Sequence, residues 1–299
     1  MTGVAVVTDS TASLPPDVAA DLGITVVPLH VVVDGEDRLD DAAGSAALAV
    51  QMADGTTATT SQPSPAELVR TYRAASDGGR REVVAIHLSA ELSGTVGGAR
   101  RAADLLAAEG IRVHVVDSRT VAAGTGLAAV AAAEAALRGA GPAQVVAVAR
   151  ETAAKSTVLF VVPELTYLQR GGRMTAGAAL VGTALGIRPV LAIADGRIAV
   201  VETVRGRARA RRRVVERAVQ AAGGPRARVP HPPAQRVRVA VHHFGAADEA
   251  VALEEELADA LAGTGALVAG ALRSEVTAVV GVHAGPGVLG VVVAPAGEL

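Results

Sequence analysis

The stretch "EVVAIHLSAELSGTVGGARRAADLLAAEGIRVHVVD", residues 82–117, determines the fold class. Its two ends, residues 82–88 and 111–117, are short runs rich in β-branched residues, and the segment between them is rich in alanine. Two such strands joined by one helix are typical of a βαβ unit, in which the strands are parallel. The stretch therefore predicts an α/β fold.

The same alternation continues toward the N-terminus. The runs "VAVVT" (4–8) and "ITVVPLHVVV" (24–33) each predict a strand, and Pro65 and Pro142 fall where a helix would begin. Proline suits the first turn of a helix because its missing N–H has no partner there in any case. We therefore expect residues 1–155 to form a parallel-sheet domain with helices on both faces.

The second half of the chain has a different pattern. The stretch "PVLAIADGRIAVVE" (189–202) predicts two strands joined at Asp195 and Gly196, which is a strong signal for an antiparallel hairpin. Because 299 residues are long for one core, we expect residues 156–299 to form a second, mixed-sheet α/β domain. The proline- and glycine-rich segment 223–235 predicts an exposed loop.

Composition excludes several classes of protein. The chain has no cysteine, so disulfides and cysteine nucleophiles are excluded, and its net charge of −2 disfavours nucleic-acid binding. No apolar run is long enough to span a bilayer, and the first residues lack the basic segment of a signal peptide. These features predict a cytoplasmic protein without stable membrane insertion.

Common cofactor motifs are missing from the sequence. The turn after the first strand lacks G-x-G-x-x-G, and its Asp9 or Ser13 is placed to cap a helix instead. No G-x-x-x-x-G-K-[ST] or H-E-x-x-H motif occurs, and the adjacent His242 and His243 would point to opposite faces of a strand. We predict no cofactor and no metal site.

Two clusters of hydroxyl side chains predict a binding site. Thr60 lies in "TATTSQPSP" (57–65), and Ser93 lies in "LSAELSGT" (88–95), just before a helix expected to begin near Gly94. If both follow parallel strands, they face the crevice in which open α/β sheets bind ligands. Hydroxyl donors and a helix N-terminus suit a small anion, particularly a carboxylate, although Ser93 alone could serve only as a helix cap.

Two further stretches can contribute to this site. His283 in "GVHAGPGVLG" (281–290) is predicted in a tight glycine-rich loop, where it would donate a charge-assisted hydrogen bond to a carboxylate or serve only as a structural hydrogen-bonding group. In 167–191, Arg170 and Arg173 form a basic turn before a predicted helix of small and apolar residues, which would leave room for a ligand.

These stretches, in this order, resemble the DegV family of bacterial fatty-acid-binding proteins. The resemblance rests on "VTDSTASLP", "TSQPSP", "LSGT", "VVDSRTVAAGTGL", "YLQRGGRM", "VRGRAR" and "HAGPGVLG", and it spans nearly the whole chain. It implies a DegV-like α/β fold, in which a parallel-sheet domain is followed by a mixed-sheet domain and the ligand lies between them.

The resemblance also implies a function. A member of the family binds one long-chain fatty acid and presents its carboxylate to the ATP-binding subunit of a separate fatty-acid kinase, which forms an acyl phosphate for phospholipid metabolism. The implied ligand-binding residues are Thr60, Ser61, Ser93, Gly94, Thr95 and His283. With two Phe and two Tyr in the chain, the acyl tunnel must be lined by aliphatic side chains.

Partner docking and two rival functions complete the predictions. Arg170, Arg173 and Arg205 are predicted to form a basic rim that meets the kinase, unless they pair with acidic residues between the domains. The rival from the enzyme class is a hydrolase that uses Ser93 and His283 with Asp9 or Asp117, but Ser93 lacks the G-x-S-x-G context. A regulatory sensor would have the same pocket and differ only in its partners.

Overall fold

The computed structural model describes residues 3–174, 186–223 and 236–297. Within these ranges the chain forms three β-sheets with helices around and between them. Residues 224–235 of the predicted exposed loop and residues 175–185 of the predicted small-residue helix lie outside the described residues.

The first sheet is parallel. Its strands are β1 (Val4–Asp9), β2 (Ile24–Val27), β6 (Glu82–His87) and β7 (Arg112–Asp117), in the order β2-β1-β6-β7. Its helices are a 3₁₀ turn (Ser10–Ala12), α1 (Pro16–Asp21), α3 (Pro65–Ala75), α4 (Thr95–Ala107), α5 (Ala123–Leu137) and α6 (Pro142–Lys155). The βαβ unit predicted from residues 82–117 is confirmed as β6, α4 and β7.

The helices begin largely where the prolines predict. Pro65 and Pro142 lie in the first turns of α3 and α6, and Ser64 and Glu67 complete a capping box in α3. Ser13, in contrast, does not cap α1. Asp9 caps the 3₁₀ turn instead, because its carboxylate accepts a hydrogen bond from the Thr11 N–H.

The structure contradicts the single strand predicted over residues 24–33 and the predicted position of Thr60 after a parallel strand. The run 24–33 is two strands, β2 and β3 (His30–Val33), because the chain leaves the parallel sheet at Pro28, which has no N–H to continue the pairing. Strand β3 pairs antiparallel with β4 (Glu36–Leu39) and β5 (Ala58–Ser61), and α2 (Ala42–Ala53) connects β4 to β5. Thr60 therefore lies in an antiparallel strand and not after a strand of the parallel sheet.

The third sheet is mixed. It consists of β8 (Thr157–Val161), β9 (Ile187–Ala194), β10 (Arg197–Arg205), β11 (Arg236–His243), β12 (Leu267–Glu275) and β13 (Leu289–Pro295), in the order β10-β9-β8-β13-β11-β12 within the described ranges. Its helices are α7 (Thr166–Arg170), α8 (Arg207–Ala221), α9 (Ala247–Ala262) and α10 (Ala278–Ala284). The predicted hairpin is confirmed, because β9 and β10 pair antiparallel. Its turn residues Asp195 and Gly196 both have positive φ, at 51° and 82°.

Helices α5 and α6 lie between the parallel and the mixed sheet. Both contact strands of the parallel sheet, and both contact β13 of the mixed sheet. Ala123 and Leu127 of α5 share an apolar cluster with Val158 and Val292 of the mixed sheet. The α/β fold class is confirmed, while the division of the chain after residue 155 stays a prediction. No helix in the described ranges is long and apolar enough to cross a membrane.

Candidate functional site

A cavity lies where the three sheets meet. The space between its walls is about 970 Å³, including the opening to solvent. Most of its wall is aliphatic, with residues from β8, β9, β10 and β13, from α10, and from the loops that follow β6 and β7. Phe160 is the aromatic residue in this wall among the described residues. The cavity therefore suits an apolar ligand.

One part of the wall is polar, and we call it the head cluster. Its members are Thr60, Ser61, Gln62, Ser93, Arg173 and His283. Two other polar side chains of the wall are already bonded within the protein, since Thr11 donates to Asp9 and His242 accepts from the Ala123 N–H. The head cluster is thus the place where a polar end of a ligand finds hydrogen-bonding groups.

Thr60 and His283 are in direct contact. The Thr60 hydroxyl lies 2.8 Å from Nε2 of His283. Burial, and next the nearby charge of Arg173, lower the pKa of His283 to about 4. His283 is therefore neutral near pH 7 in the unliganded protein, and its predicted hydrogen bond to a carboxylate stays a prediction.

His283 also lies in a different element from the one predicted. It is in the last turn of α10, and the glycine-rich turn begins two residues later at Gly285. The helix runs from Ala278 up to Ala284, and its Val279 and Val282 are buried in an apolar cluster. Nδ1 of His283 is buried and has no hydrogen-bond partner among the described residues.

Ser93 lies at the start of α4, as expected from its sequence position. Its hydroxyl lies 2.9 Å from the Thr95 hydroxyl and accepts from the Thr95 N–H at 3.4 Å. Gly94 is the N-cap of α4, and Thr95 is fully buried. Gly94 and Thr95 do not line the cavity, whereas Ser61 lines it.

Two glycines allow close approaches in this region. A Cβ on Gly94 would lie 2.0 Å from Oε1 of Gln62. A Cβ on Gly171 would lie 2.2 Å from Nδ1 of His283. Gly171 of the "QRGGR" turn is therefore required for the position of His283. Sequence reasoning missed this role of Gly171.

Arg173 is a member of the head cluster and lines the cavity, while its predicted contact with a kinase stays a prediction. Its side chain is half-buried, and it donates to the Leu92 carbonyl at 3.0 Å and to the Gly171 carbonyl at 2.5 Å. Burial lowers the pKa of Arg173, but a guanidinium keeps its charge at neutral pH. Arg173 therefore supplies a positive charge to the head cluster.

The other two predicted rim arginines are exposed. Arg170 lies over the ring of Tyr167, with 5.9 Å from its guanidinium carbon to the ring centroid. Arg205 ends β10 opposite Ile187 and does not line the cavity. Neither forms an ion pair in the part of the chain that the structure describes, so the alternative of acidic partners between the domains has no support there.

A buried polar network lies beneath the loop that carries Ser93. The Asp9 carboxylate accepts from Nδ1 of His87 and from the Leu88 N–H, both at 2.9 Å, and from Thr11. Nε2 of His87 lies 2.6 Å from the Tyr72 hydroxyl. These side chains are fully buried, so the network fixes the turns after β1 and β6. The aspartate in "VTDS" had only suggested a helix cap.

The geometry does not assemble the rival Ser-His-Asp site. His283 contacts Thr60 and not Ser93, and Asp9 is bonded to His87. Asp117 accepts from the Ala90 and Arg119 N–H groups. Among the described residues, no cluster of three or more metal-ligating side chains is arranged to hold an ion.

Contacts at the tip of the β9-β10 hairpin join the mixed sheet to the loops that follow β6 and β7. The Ser89 hydroxyl donates to the Gly196 carbonyl at 2.8 Å, and Arg119 donates to the Asp195 carbonyl at 2.7 Å. Ile193 and Ile198 flank this tip and line the cavity. The hairpin thus joins the loop that carries Ser93 to the apolar wall.

Comparisons with known proteins agree with this architecture. Residues 3–296 match the model of the family described as "Uncharacterised protein, DegV family". A DegV domain-containing protein of Streptomyces coelicolor is 41% identical over 293 residues, which are 97% of this chain and 98% of that protein.

Solved structures are similar over the same length. A fatty-acid-binding DegV family protein from Thermus thermophilus matches with a TM-score of 0.86 and 32% identity, over 98% of this chain and 100% of that one. DegV from Bacillus subtilis, a fatty acid binding protein, matches with a TM-score of 0.81 and 27% identity, over 99% and 100% of the two chains. Because the family model matches residues 3–296 and a member of the family is 41% identical over nearly the whole length, this chain belongs to the DegV family.

Proposed function

We propose that this protein binds one long-chain fatty acid in the cavity and presents the carboxylate, held at the head cluster, to a separate ATP-dependent kinase. The observation that carries the proposal is the segregation of the wall. Its hydrogen-bonding groups without a full set of internal partners lie in one cluster, and the rest of the wall is almost entirely aliphatic. A ligand with one charged end and a long apolar chain matches that division.

The energetics favour a long chain over a short acid. At about 0.8 kcal/mol for each buried methylene, a sixteen-carbon chain contributes roughly 11 kcal/mol from transfer out of water. Association costs at least about 4 kcal/mol in lost freedom. The apolar wall therefore supplies most of the affinity, and the head cluster compensates the carboxylate for the water it loses.

In this proposal the residues of the head cluster have different roles. Neutral His283 donates from Nε2–H to the Thr60 oxygen, so that the Thr60 O–H is free to donate to the carboxylate. The Ser93 hydroxyl is the second donor, and Arg173 provides the compensating charge. Thr60, Ser93 and Arg173 thus contact the ligand, and His283 orients Thr60.

Related proteins support the same ligand class. The similar structures from Thermus thermophilus and Bacillus subtilis are both of fatty-acid-binding proteins. Conservation of the overall fold at TM-scores of 0.86 and 0.81 supports transfer of that ligand class to this cavity.

Mass spectrometry of lipid released from the purified, denatured protein tests the binding step. We expect a fatty acid of C14 to C18, a range that the family implies, in about one copy for each chain. Calorimetry with stripped protein and palmitate gives an independent measurement of binding. Methyl palmitate, which has the same acyl chain without the carboxylate charge, is the control ligand. A co-purified nucleotide or sugar, or no heat with palmitate, would contradict the proposal.

The kinase step needs its own experiment. We propose that exposed Arg170 and Arg205 contact the kinase, since arginine pairs well with phosphate and carboxylate groups. With Arg205→Ala, we expect unchanged palmitate affinity and slower acyl-phosphate formation by the cognate kinase, with a weaker salt dependence. Arg150→Ala, an exposed change on α6, is the control. Equal turnover of both variants and the wild type would remove Arg205 from the docking surface.

Ester hydrolysis separates the carrier from the rival enzyme. A carrier is expected to release no alcohol from a p-nitrophenyl ester above the rate of a Ser93→Ala variant. A burst of one equivalent that disappears in that variant would instead indicate an acyl-enzyme at Ser93.

A further inference from the structure

A second pocket adjoins the head cluster, and we call it the outer pocket. It is lined by Met52, residues 56–60, Tyr167, Arg170, Gly171, Arg173, Val282 and His283. Thr60, Arg173 and His283 line both this pocket and the acyl cavity. The same three side chains therefore separate a ligand's head group from a second space.

The chemistry of the outer pocket favours an anion. Arg170 and Arg173 contribute two guanidinium groups, and Thr56 and Thr60 contribute hydroxyls, while no acidic residue lines it among the described residues. Arginine recognises tetrahedral oxyanions through paired N–H donors. Both arginines have neighbours that restrain them: the Tyr167 ring for Arg170, and two backbone carbonyls for Arg173.

A different pocket next to the same loop has a mixed charge. Ser61 and Gln62 also line a surface pocket that contains Asp37, Glu67 and Arg70. Both carboxylates lie close to His30, at 3.0 Å and 3.2 Å from its two ring nitrogens. The charged side chains on the Arg170 side of the loop are therefore all basic among the described residues, whereas the Asp37 side also presents two carboxylates to an anion.

We propose that the outer pocket is a subsite for the phosphoryl group of an acyl phosphate, whose acyl chain remains in the cavity. This inference rests on the proposed function. In the transfer, a carboxylate oxygen forms a bond to the γ-phosphorus of ATP as the bond from that phosphorus to ADP breaks, and the kinase supplies the ATP. The phosphoryl group is then attached directly to the carboxyl group, so it must lie next to Thr60, Arg173 and His283.

Binding measurements without kinase test the subsite. The probe is 2-oxoheptadecylphosphonate, in which a CH₂ group replaces the bridging oxygen of palmitoyl phosphate, and 2-heptadecanone is the matched ligand without the phosphonate. The ratio of their affinities isolates the phosphonate. We expect the phosphonate to bind about tenfold or more tightly than the ketone. Equal or weaker binding of the phosphonate overturns the subsite.

Variants locate the subsite. Arg170→Ala is expected to lower phosphonate affinity about tenfold and to leave the affinities for the ketone and for palmitate unchanged. Thr56→Val, which removes a hydroxyl at similar volume, is expected to act in the same direction. Arg150→Ala is the control for loss of a surface charge. An equal loss in Arg150→Ala and Arg170→Ala would indicate a nonspecific charge effect and overturn the assignment.

The results also distinguish this inference from the proposed function. If palmitate binds and the phosphonate has no higher affinity than the ketone, the proposed subsite is wrong and the proposed carrier function is unaffected. If neither palmitate nor the ketone binds to stripped protein, both are wrong. Because no kinase is present, a loss in Arg170→Ala cannot arise from partner docking.

Discussion

Thr60 and His283 are 223 positions apart in sequence and are joined by a hydrogen bond of 2.8 Å. The bond connects β5 of the small antiparallel sheet to the last turn of α10. The same helix is held at its other end by Asp40, which follows β4 and accepts from the Val279 N–H at 3.1 Å. Residues near both ends of α10 are thus bonded to the segment that carries the small sheet, which positions His283 against the cavity.

The hydroxyls of the head cluster are expected to control affinity for the acid. Replacing Thr60 or Ser93 by alanine removes one donor to a charged group, worth about 1.5 to 3 kcal/mol, or roughly ten- to more than a hundredfold in Kd. Calorimetry with stripped protein and palmitate measures the change. Thr60→Ser keeps the hydroxyl and is expected to retain most of the affinity. Wild-type Kd values in both alanine variants would move the carboxylate site elsewhere.

Gly171→Ala is expected to displace His283. The new methyl group would lie 2.2 Å from Nδ1 of that ring, so the ring must move and its bond to Thr60 is lost. We expect weaker palmitate binding and a lower free energy of unfolding. The control is Gly97→Ala in α4, where the nearest atom to the new methyl is 3.8 Å away, so stability is expected to stay the same or rise by up to about 1 kcal/mol. If both variants bind palmitate equally, the contact with Gly171 does not set the position of His283.

Asp40→Asn is expected to stabilise the protein at neutral pH. Burial raises the pKa of Asp40, and its Oδ2 has no hydrogen-bond partner among the described residues. A raised carboxyl pKa means that wild-type stability falls as pH rises through that pKa. Asparagine keeps an acceptor for the Val279 N–H without the buried charge, so a gain of about 1 kcal/mol is expected at pH 7 and little at acid pH.

Urea unfolding at pH 4 and pH 7 measures this difference. Asp77→Asn replaces an exposed carboxyl group and is the control, with no expected change at either pH. A loss of stability in Asp40→Asn at pH 7 would show that the charge itself holds α10 through its N-terminus.

His242 is expected to make the fold sensitive to acid. Burial lowers its pKa to about 4, and Nε2 accepts from the Ala123 N–H, so the ring is neutral in the folded protein. Between pH 6.5 and 4 the unfolded chain takes up a proton on this residue that the folded protein does not. Stability therefore falls as the pH drops through this range, by on the order of 3 kcal/mol.

A comparison with His242→Gln measures that contribution. Glutamine can accept from the Ala123 N–H but does not titrate, so the free energy of unfolding should fall less steeply between pH 6.5 and 4. Parallel curves for the wild type and His242→Gln would show that another group is responsible.

The sequence by itself determined the local elements and the family. The βαβ unit of residues 82–117, the Asp195-Gly196 hairpin and the start of α4 beside Ser93 were all predictable. Each depends on a periodicity, a turn residue or a cap that acts over a few neighbouring residues. The motifs of the DegV family also lie within such short stretches.

The tertiary structure alone decided how these stretches meet. A run of β-branched residues indicates a strand but not its partners, so residues 24–33 did not reveal that the chain changes sheets and places Thr60 opposite His283. Burial leaves His283 neutral, and a hydrogen bond to the Leu92 carbonyl holds the charged Arg173 in the head cluster. Desolvation and contacts between distant segments arise only when the sheets pack together, and no local pattern encodes them.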